Sequence, residues 1–163
     1  MLTILLFVIL AISFITDLKS RKILNAVTFP AMIVGLLINT IVMGWDGFVF
    51  SALGLLAGFA LLVIPYLLGG MAAGDVKLLM AIGALKGTAF VVGSFLYIAI
   101  IGGIIALVIL IKQKELLLSL KRIFISLQIR TLDSLNKNEL HHAFPYGVAI
   151  VLGTVFYTGV NVL

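Results

Sequence analysis

The chain has 163 residues, of which 63% are hydrophobic and 10% are charged, and its mean hydropathy is +1.33. A soluble domain of this length lacks the interior to hide so much apolar surface, so the composition excludes a soluble globular protein and indicates a polytopic membrane protein. The net charge of +5 comes from basic residues beside apolar segments, which argues against nucleic-acid binding, and the absence of cysteine excludes disulfides, cysteine-ligated zinc and thiol catalysis. The apolar runs are continuous, without the alternation typical of barrel strands, and therefore predict an all-α fold.

Six apolar segments, each predicted to be a transmembrane helix, form a single membrane-embedded domain. Their approximate limits are 1–19, 26–43, 48–68, 75–86, 89–111 and 143–163. The first lacks a basic leader region and a small-residue cleavage site, so we interpret it as an uncleaved span rather than a signal peptide. The fourth is too short to cross a bilayer unaided. A turn at 86–88 is expected to separate it from the fifth, and a single helix over 76–96 is the alternative.

The distribution of basic residues predicts the orientation of these spans. Between the fifth and sixth spans, residues 115–130 approximately show apolar positions at helical spacing and predict an amphipathic helix on the membrane surface. Most basic residues fall on the same side of the membrane as that helix. The positive-inside rule makes this side cytoplasmic and both termini external. Lys86 is the exception, near the outer side.

Two of the six acidic residues lie at span ends on the predicted cytoplasmic side, among small or apolar neighbours. These are Asp17, after the first span, and Asp75, at the start of the fourth. Two adjacent carboxyl groups can hydrolyse a peptide bond without metal or covalent intermediate, because one stays protonated and polarises the carbonyl while the other activates water. Both could equally be solvated boundary residues, with Asp75 serving as the N-cap of a helix that begins at Val76.

Other polar residues near the predicted cytoplasmic margin have ordinary explanations beside functional ones. Asn25 is interpreted as the N-cap of the second span or as a site residue, and Lys77 as a boundary lysine or as a substrate contact. His141 and His142 precede the last span, but without cysteine or a suitably spaced acid they predict no metal site.

A small transporter or proton-relay protein remains an alternative, although that function favours acids near the middle of the membrane.

Several short motifs occur together in a characteristic order. They are Asp17 with Asn25 eight residues later, Phe29-Pro30, Gly70-Met-Ala-Ala-Gly-Asp75-Val-Lys-Leu-Leu, Gly83, and Pro145-Tyr-Gly147. This order resembles the type IV prepilin peptidase family of aspartic membrane proteases, and especially its small Flp/Tad-type members, which lack a large N-terminal cytoplasmic domain. One departure is Ala72, which stands where the family's Gly-x-Gly-Asp motif has its first glycine.

The resemblance implies a membrane endopeptidase that removes short basic leader peptides from prepilin and pseudopilin precursors at the cytoplasmic face of the inner membrane. It implies catalytic roles for Asp17 and Asp75, and no cofactor or metal. Five further residues are expected to bind the substrate or to support the site: Asn25, Gly74, Lys77, Pro145 and Gly147. Expected partners are the precursor, the lipid bilayer and components of pilus or secretion assembly. A non-catalytic assembly subunit with the same fold is a further alternative, and N-methylation of the product is left open.

Overall fold

The computed structural model describes residues 2–112 and 146–162, and every described element is an α-helix. The helices are α1 (Leu2–Ser20), α2 (Asn25–Met43), α3 (Trp45–Leu67), α4 (Ala73–Lys86), α5 (Thr88–Lys112) and α6 (Tyr146–Val162). Within the described ranges, four helices are long and apolar enough to cross a membrane, namely α1, α2, α3 and α5, and α6 is a shorter apolar helix. The predicted all-α polytopic membrane fold is therefore confirmed. The predicted amphipathic helix at about 115–130 lies outside the described residues.

The chain divides into two compact units. The first consists of Met1–Gly102 and Pro145–Leu163, and the second of Gly103–Phe144. Of the second unit, the structure describes the carboxyl-terminal part of α5, residues 103–112. The first part of α5 and all the other helices belong to the first unit, and so does the candidate site.

Helix α4 is the most enclosed helix of the first unit. It contacts α1, α2, α3 and α6, and side chains on several of its faces are fully buried, among them Leu78, Leu79 and Ile82. Its 14 residues rise only ~21 Å, which is less than the ~30 Å of a bilayer hydrocarbon core. A helix that is apolar on all sides is typical of a buried position, and here the surrounding helices supply the cover.

The start of α4 differs from the sequence-based expectation. The helix begins at Ala73, with Ala72 as the N-cap residue, so Asp75 is the third helical residue. The prediction that Asp75 is the N-cap was wrong. The reason is that the Asp75 carboxylate reaches back to accept a hydrogen bond from the Ala72 N–H at 3.0 Å, which satisfies an otherwise unpaired amide while Asp75 itself stays helical.

The break between α4 and α5 lies at Gly87. Its φ is +79°, and a Cβ at this position would overlap the ring of Phe50. Both features favour glycine, because other residues rarely adopt this backbone conformation. The turn at 86–88 thus separates the two helices, and the alternative of one continuous helix through this region was wrong. At the junction between α2 and α3, helix α3 begins at Trp45, directly after Gly44, and not at Phe48 as predicted.

Close backbone approach holds α3 against α4. A Cβ on Gly83 would overlap the carbonyl of Gly54, and a Cβ on Gly54 would overlap the carbonyl of Gly83. Small residues of this kind let helices in membranes approach closely and gain van der Waals contact. A buried polar cluster adds to this packing, because Asn39 of α2 donates hydrogen bonds to Ser51 of α3 at 2.7 Å and to the Ala84 carbonyl of α4 at 3.2 Å.

We expect the substitution Gly83→Ala to destabilise the helix bundle. The new methyl group meets backbone atoms, which cannot rotate away, so α3 and α4 must separate. Overpacking of this type costs ~1–3 kcal/mol and occasionally more. The measurement is thermal unfolding in detergent, with Gly159→Ala of α6 as the control, because a Cβ there has no atom within 4 Å. Equal unfolding temperatures for the two variants would contradict this packing.

Candidate active site

Asp17 lies in the last turn of α1 and is only 5% exposed. One oxygen of its carboxylate, Oδ2, accepts a hydrogen bond from the Val148 N–H at 3.0 Å, and the Gly147 N–H also interacts with it. These two amides belong to the first turn of α6, where backbone N–H groups have no partner within the helix. Asp17 therefore caps a helix from another part of the chain, at the positive end of the α6 dipole.

Gly147 makes this contact sterically possible. A Cβ at this position would lie 2.6 Å from Oδ2 of Asp17 and 2.7 Å from its Cγ. Any side chain would therefore displace the carboxylate or push the beginning of α6 away from α1. The resemblance drew attention to Gly147, and the structure supplies a physical reason for a glycine there.

Asp75 occupies the first turn of α4 and is also 5% exposed. Its Oδ2 binds the Ala72 N–H, and its own N–H donates to the Ala72 carbonyl at 3.1 Å. Ala72 has φ −85° and ψ 152°, an extended conformation that any residue can adopt. The departure from the family motif at Ala72 therefore introduces no backbone strain.

The structure brings the two aspartates together, although 57 residues separate them in the sequence, from 17 to 75. Helices α1 and α4 are in contact, and the Asp17 and Asp75 carboxyl groups are close enough to interact electrostatically. Each group also sits at the amino end of a helix, Asp17 against α6 and Asp75 within α4. Two buried carboxyl groups that interact in this way can divide the roles of acid and base toward a bound water.

Two other polar side chains act on this pair. The charge of Arg21, which follows α1, acts on Asp17, and Tyr146, the first residue of α6, interacts electrostatically with Asp75. Sequence reasoning did not select Tyr146 as a site residue. The available signal was its place between Pro145 and Gly147 in the last motif, but an apolar helix start explains a tyrosine equally well.

The Lys77 ammonium group contacts residues of helix α2. Its Nζ donates a hydrogen bond to Oδ1 of Asn25 at 2.9 Å and lies 5.0 Å from the centre of the Phe29 ring. Leu24, not Asn25, is the N-cap residue of α2, so the N-cap interpretation of Asn25 was wrong. The Asn25 side chain instead accepts a bond from a lysine 52 residues away.

We expect Lys77→Met to weaken the attachment of α4 to α2. One charged hydrogen bond and one cation–π contact at a partly exposed position together contribute on the order of 1 kcal/mol. Thermal unfolding of Lys77→Met, Asn25→Ala and the double variant measures this. The double variant should lose little more than either single variant, and fully additive losses would contradict a direct Lys77–Asn25 interaction.

The remaining site candidates lie near the same end of the bundle or outside the described chain. A Cβ on Gly74 would lie 3.1 Å from the Ile23 side chain and 3.5 Å from its backbone, so Gly74 keeps the start of α4 close to the α1–α2 connection. Pro145 lies outside the described residues, as do His141 and His142.

Within residues 2–112 and 146–162, no group of three or more histidine, aspartate or glutamate side chains could hold a metal ion.

Comparison with known protein families matches residues 4–107 to the type IV leader peptidase family. The matched segment is more than half of the chain and includes Asp17, Asp75 and Lys77, and it ends before α6. Comparison with curated proteins and with solved structures finds no significant match. The family match, over helices that contribute both buried carboxyl groups, shows that this chain belongs to the type IV leader peptidase family.

Proposed function

We propose that this peptidase is an aspartic endopeptidase that removes the leader peptide of prepilin-like precursors, with Asp17 and Asp75 as its catalytic residues. The observation that carries the proposal is the pairing of two buried, interacting carboxyl groups from different helices. The described residues contain one further acidic residue, Asp46. It lies in the first turn of α3, far along the sequence from both Asp17 and Asp75. Membership of the family supplies the reaction class, which is peptide hydrolysis.

The proposed reaction uses water and one shared proton. Because neighbouring carboxylates repel each other, one member of the pair retains a proton and donates a hydrogen bond to the scissile carbonyl oxygen. The ionised member removes a proton from water, and the water oxygen bonds to the carbonyl carbon while the protonated member transfers its proton to the carbonyl oxygen, which gives a tetrahedral diol. The member that took the water proton then passes it to the amide nitrogen, the other member takes a proton from a diol hydroxyl, and the C–N bond breaks. The products are a carboxylate on the leader and a new amino terminus, and the pair regains its original single proton.

The backbone contacts support such a reaction by fixing the orientation of both acids. Oδ2 of Asp17 is bound by the Val148 N–H, and Oδ2 of Asp75 by the Ala72 N–H. Each carboxylate is therefore held by main-chain atoms of a helix end, which move little. Preorganisation of this kind matters, because a displacement of about 1 Å in catalytic geometry costs about 100-fold in rate.

Charge placement supports a site at the cytoplasmic face of the cytoplasmic membrane, with both termini outside. Lys19, Arg21 and Lys22 follow Asp17 at the end of α1, and Lys77 follows Asp75 at the start of α4. Lys86, at the opposite end of α4, donates a hydrogen bond to Thr3 at 2.7 Å. The excess of basic residues at the end that carries the acids favours a cytoplasmic location for that end. A precursor would present its basic leader there, with its apolar helix in the bilayer.

Cleavage by the purified protein in liposomes tests the proposed function. The substrate is a peptide with a short basic leader joined to an apolar helix, and mass spectrometry locates the cut. We expect one cut, at the junction of leader and helix. A substrate that binds but stays intact would overturn the proposal in favour of a non-catalytic assembly subunit. Proton flux through the same liposomes without cleavage would overturn it in favour of a transporter or proton relay.

A further inference from the structure

Helix α1 ends in a backbone conformation that is unusual for the residue that adopts it. Arg21 directly follows α1, has φ +51°, and is the one non-glycine residue of the described chain with a positive φ. Its N–H donates a hydrogen bond to the Asp17 carbonyl at 2.9 Å, which closes the helix with the left-handed cap that glycine usually provides. A side chain makes this conformation unfavourable, and such strain is concentrated at functional sites. The presence of arginine here therefore calls for a reason beyond helix capping.

The geometry of this cap brings the side chain of Arg21 toward that of Asp17. In a left-handed cap, the residue after the helix contacts the residue four positions earlier, whose carbonyl accepts the capping hydrogen bond. That contact is commonly apolar, whereas here a guanidinium group and a carboxylate occupy the two positions. The charge of Arg21 accordingly acts on Asp17. The strained cap thus places a positive charge beside one acid of the pair.

The start of α6 acts on Asp17 in the same sense. Oδ2 of Asp17 accepts the Val148 N–H at 3.0 Å, and the Gly147 N–H also interacts with it. Among the described contacts, Asp75 accepts one main-chain N–H, that of Ala72 at 3.0 Å. Hydrogen bonds donated to a carboxylate and a nearby positive charge both favour its ionised form. Asp17 has more of both, so the two acids are not equivalent.

The other charged or titratable groups around the pair come from α4 and α6. Helix α4 supplies Asp75, and α6 supplies Tyr146, which interacts with Asp75. The ammonium group of Lys77, also on α4, contacts α2. Helix α2 itself contacts α1 but contains no charged residue. Arg21 therefore supplies the positive charge that acts on Asp17.

We propose that Arg21 is a positioning residue of the active site, which keeps Asp17 ionised as the base and leaves the shared proton on Asp75. A glycine would form the same cap without strain, but it would carry no charge. In the reaction, Asp17 then takes the proton from water, and Asp75 transfers its proton to the carbonyl oxygen of the scissile bond. This inference rests on the proposed function for its purpose, but the charge states of the two acids are measurable without catalysis.

Infrared spectroscopy of the protein in liposomes, without substrate, locates the proton. A protonated carboxyl group has a C=O stretch distinct from the bands of a carboxylate, and each band is assigned by the asparagine variant that loses it. At mildly acidic pH, we expect Asp75→Asn to lose the C=O band of the pair and Asp17→Asn to retain it. In Arg21→Gln, the carboxylate band of Asp17 should disappear at a higher pH than in the natural protein. A C=O band lost with Asp17, or an unmoved carboxylate band, would overturn the proposal.

Substitutions of Arg21 separate the effect of its charge from that of its backbone. Arg21→Gln removes the charge and keeps the strain, Arg21→Lys keeps both, and Arg21→Gly removes both. We expect the glutamine and glycine variants to lower kcat/KM about twofold to fivefold on the acidic side of the pH optimum, the size of one exposed charge pair. The acidic limb of their profiles should move to higher pH, because the base is less readily ionised. Arg21→Lys should restore the natural profile.

Arg21→Gly also distinguishes a role in the reaction from a role in folding. This variant should unfold at the natural temperature or above, because glycine adopts a positive φ without strain, while its cleavage falls. Lys22→Gln is the matched control, since it removes the next positive charge along the chain, at an exposed residue, and its profile should stay natural. An equal shift in Lys22→Gln, or an unchanged profile in Arg21→Gln, would overturn the role of Arg21. If the natural protein cleaves no peptide, the proposed function fails, and the infrared bands alone decide the inference.

Discussion

Replacement of either aspartate by asparagine is expected to abolish leader cleavage. Asp17→Asn and Asp75→Asn preserve the size of the side chain and an oxygen that accepts the backbone N–H, so the capping of α6 and of the α4 start survives. An amide, however, can neither hold the shared proton nor take one from water. Loss of a group that acts as part of a catalytic unit costs about 10⁴-fold or more in kcat.

Asp46→Asn is the matched control for these substitutions. Asp46 is exposed in the first turn of α3, so the same chemical change there should leave cleavage within about twofold of the natural protein, as expected of surface substitutions. All three variants should insert into the membrane and unfold at similar temperatures. Full activity in Asp17→Asn or Asp75→Asn would remove the basis for the proposed mechanism.

Gly147→Ala is expected to have the second-largest effect on cleavage. The added Cβ would lie 2.6 Å from Oδ2 of Asp17, which is shorter than van der Waals contact allows, so the carboxylate and the start of α6 must move apart. A displacement of about 1 Å at a catalytic group lowers the rate by about 100-fold. We expect a fall of that size in kcat/KM, measured with the same peptide in liposomes.

The control for Gly147→Ala is Gly159→Ala on the same helix. Both changes replace glycine by a better helix former, but a Cβ at Gly159 has no atom within 4 Å. The control should keep its activity and gain slightly in stability. If Gly147→Ala cleaved as fast as Gly159→Ala, the contact between α6 and Asp17 would be irrelevant to the reaction.

The membrane class and the helical fold could be predicted because apolar composition and continuous apolar runs decide them locally. Helix ends were less predictable, since individual capping contacts and tertiary packing determine them. The start of α4 depends on the Asp75 carboxylate reaching back to Ala72. The packing of α4 among four neighbours depends on backbone contacts such as that between Gly54 and Gly83, which no local pattern specifies.

The candidate site was predictable in its acids and not in its supporting contacts. Asp17 and Asp75 stood out because acidic residues are rare beside apolar segments. The bond from Val148 to Asp17 joins residues 131 positions apart, and the bond from Lys77 to Asn25 joins residues 52 apart. Sequence spacing carries no information about such pairs.

We expect the two aspartates to act as one unit, and the cleavage rate of the double variant Asp17→Asn/Asp75→Asn shows whether they do. The rate is compared with those of the natural protein and of the two single variants under identical conditions. If the carboxyl groups share one proton and one water, loss of the first already disables the second, and we predict that the double variant is no slower than the slower single variant. A double variant whose rate falls by the product of the two single effects would show that the two residues contribute independently and would rule out a shared catalytic pair.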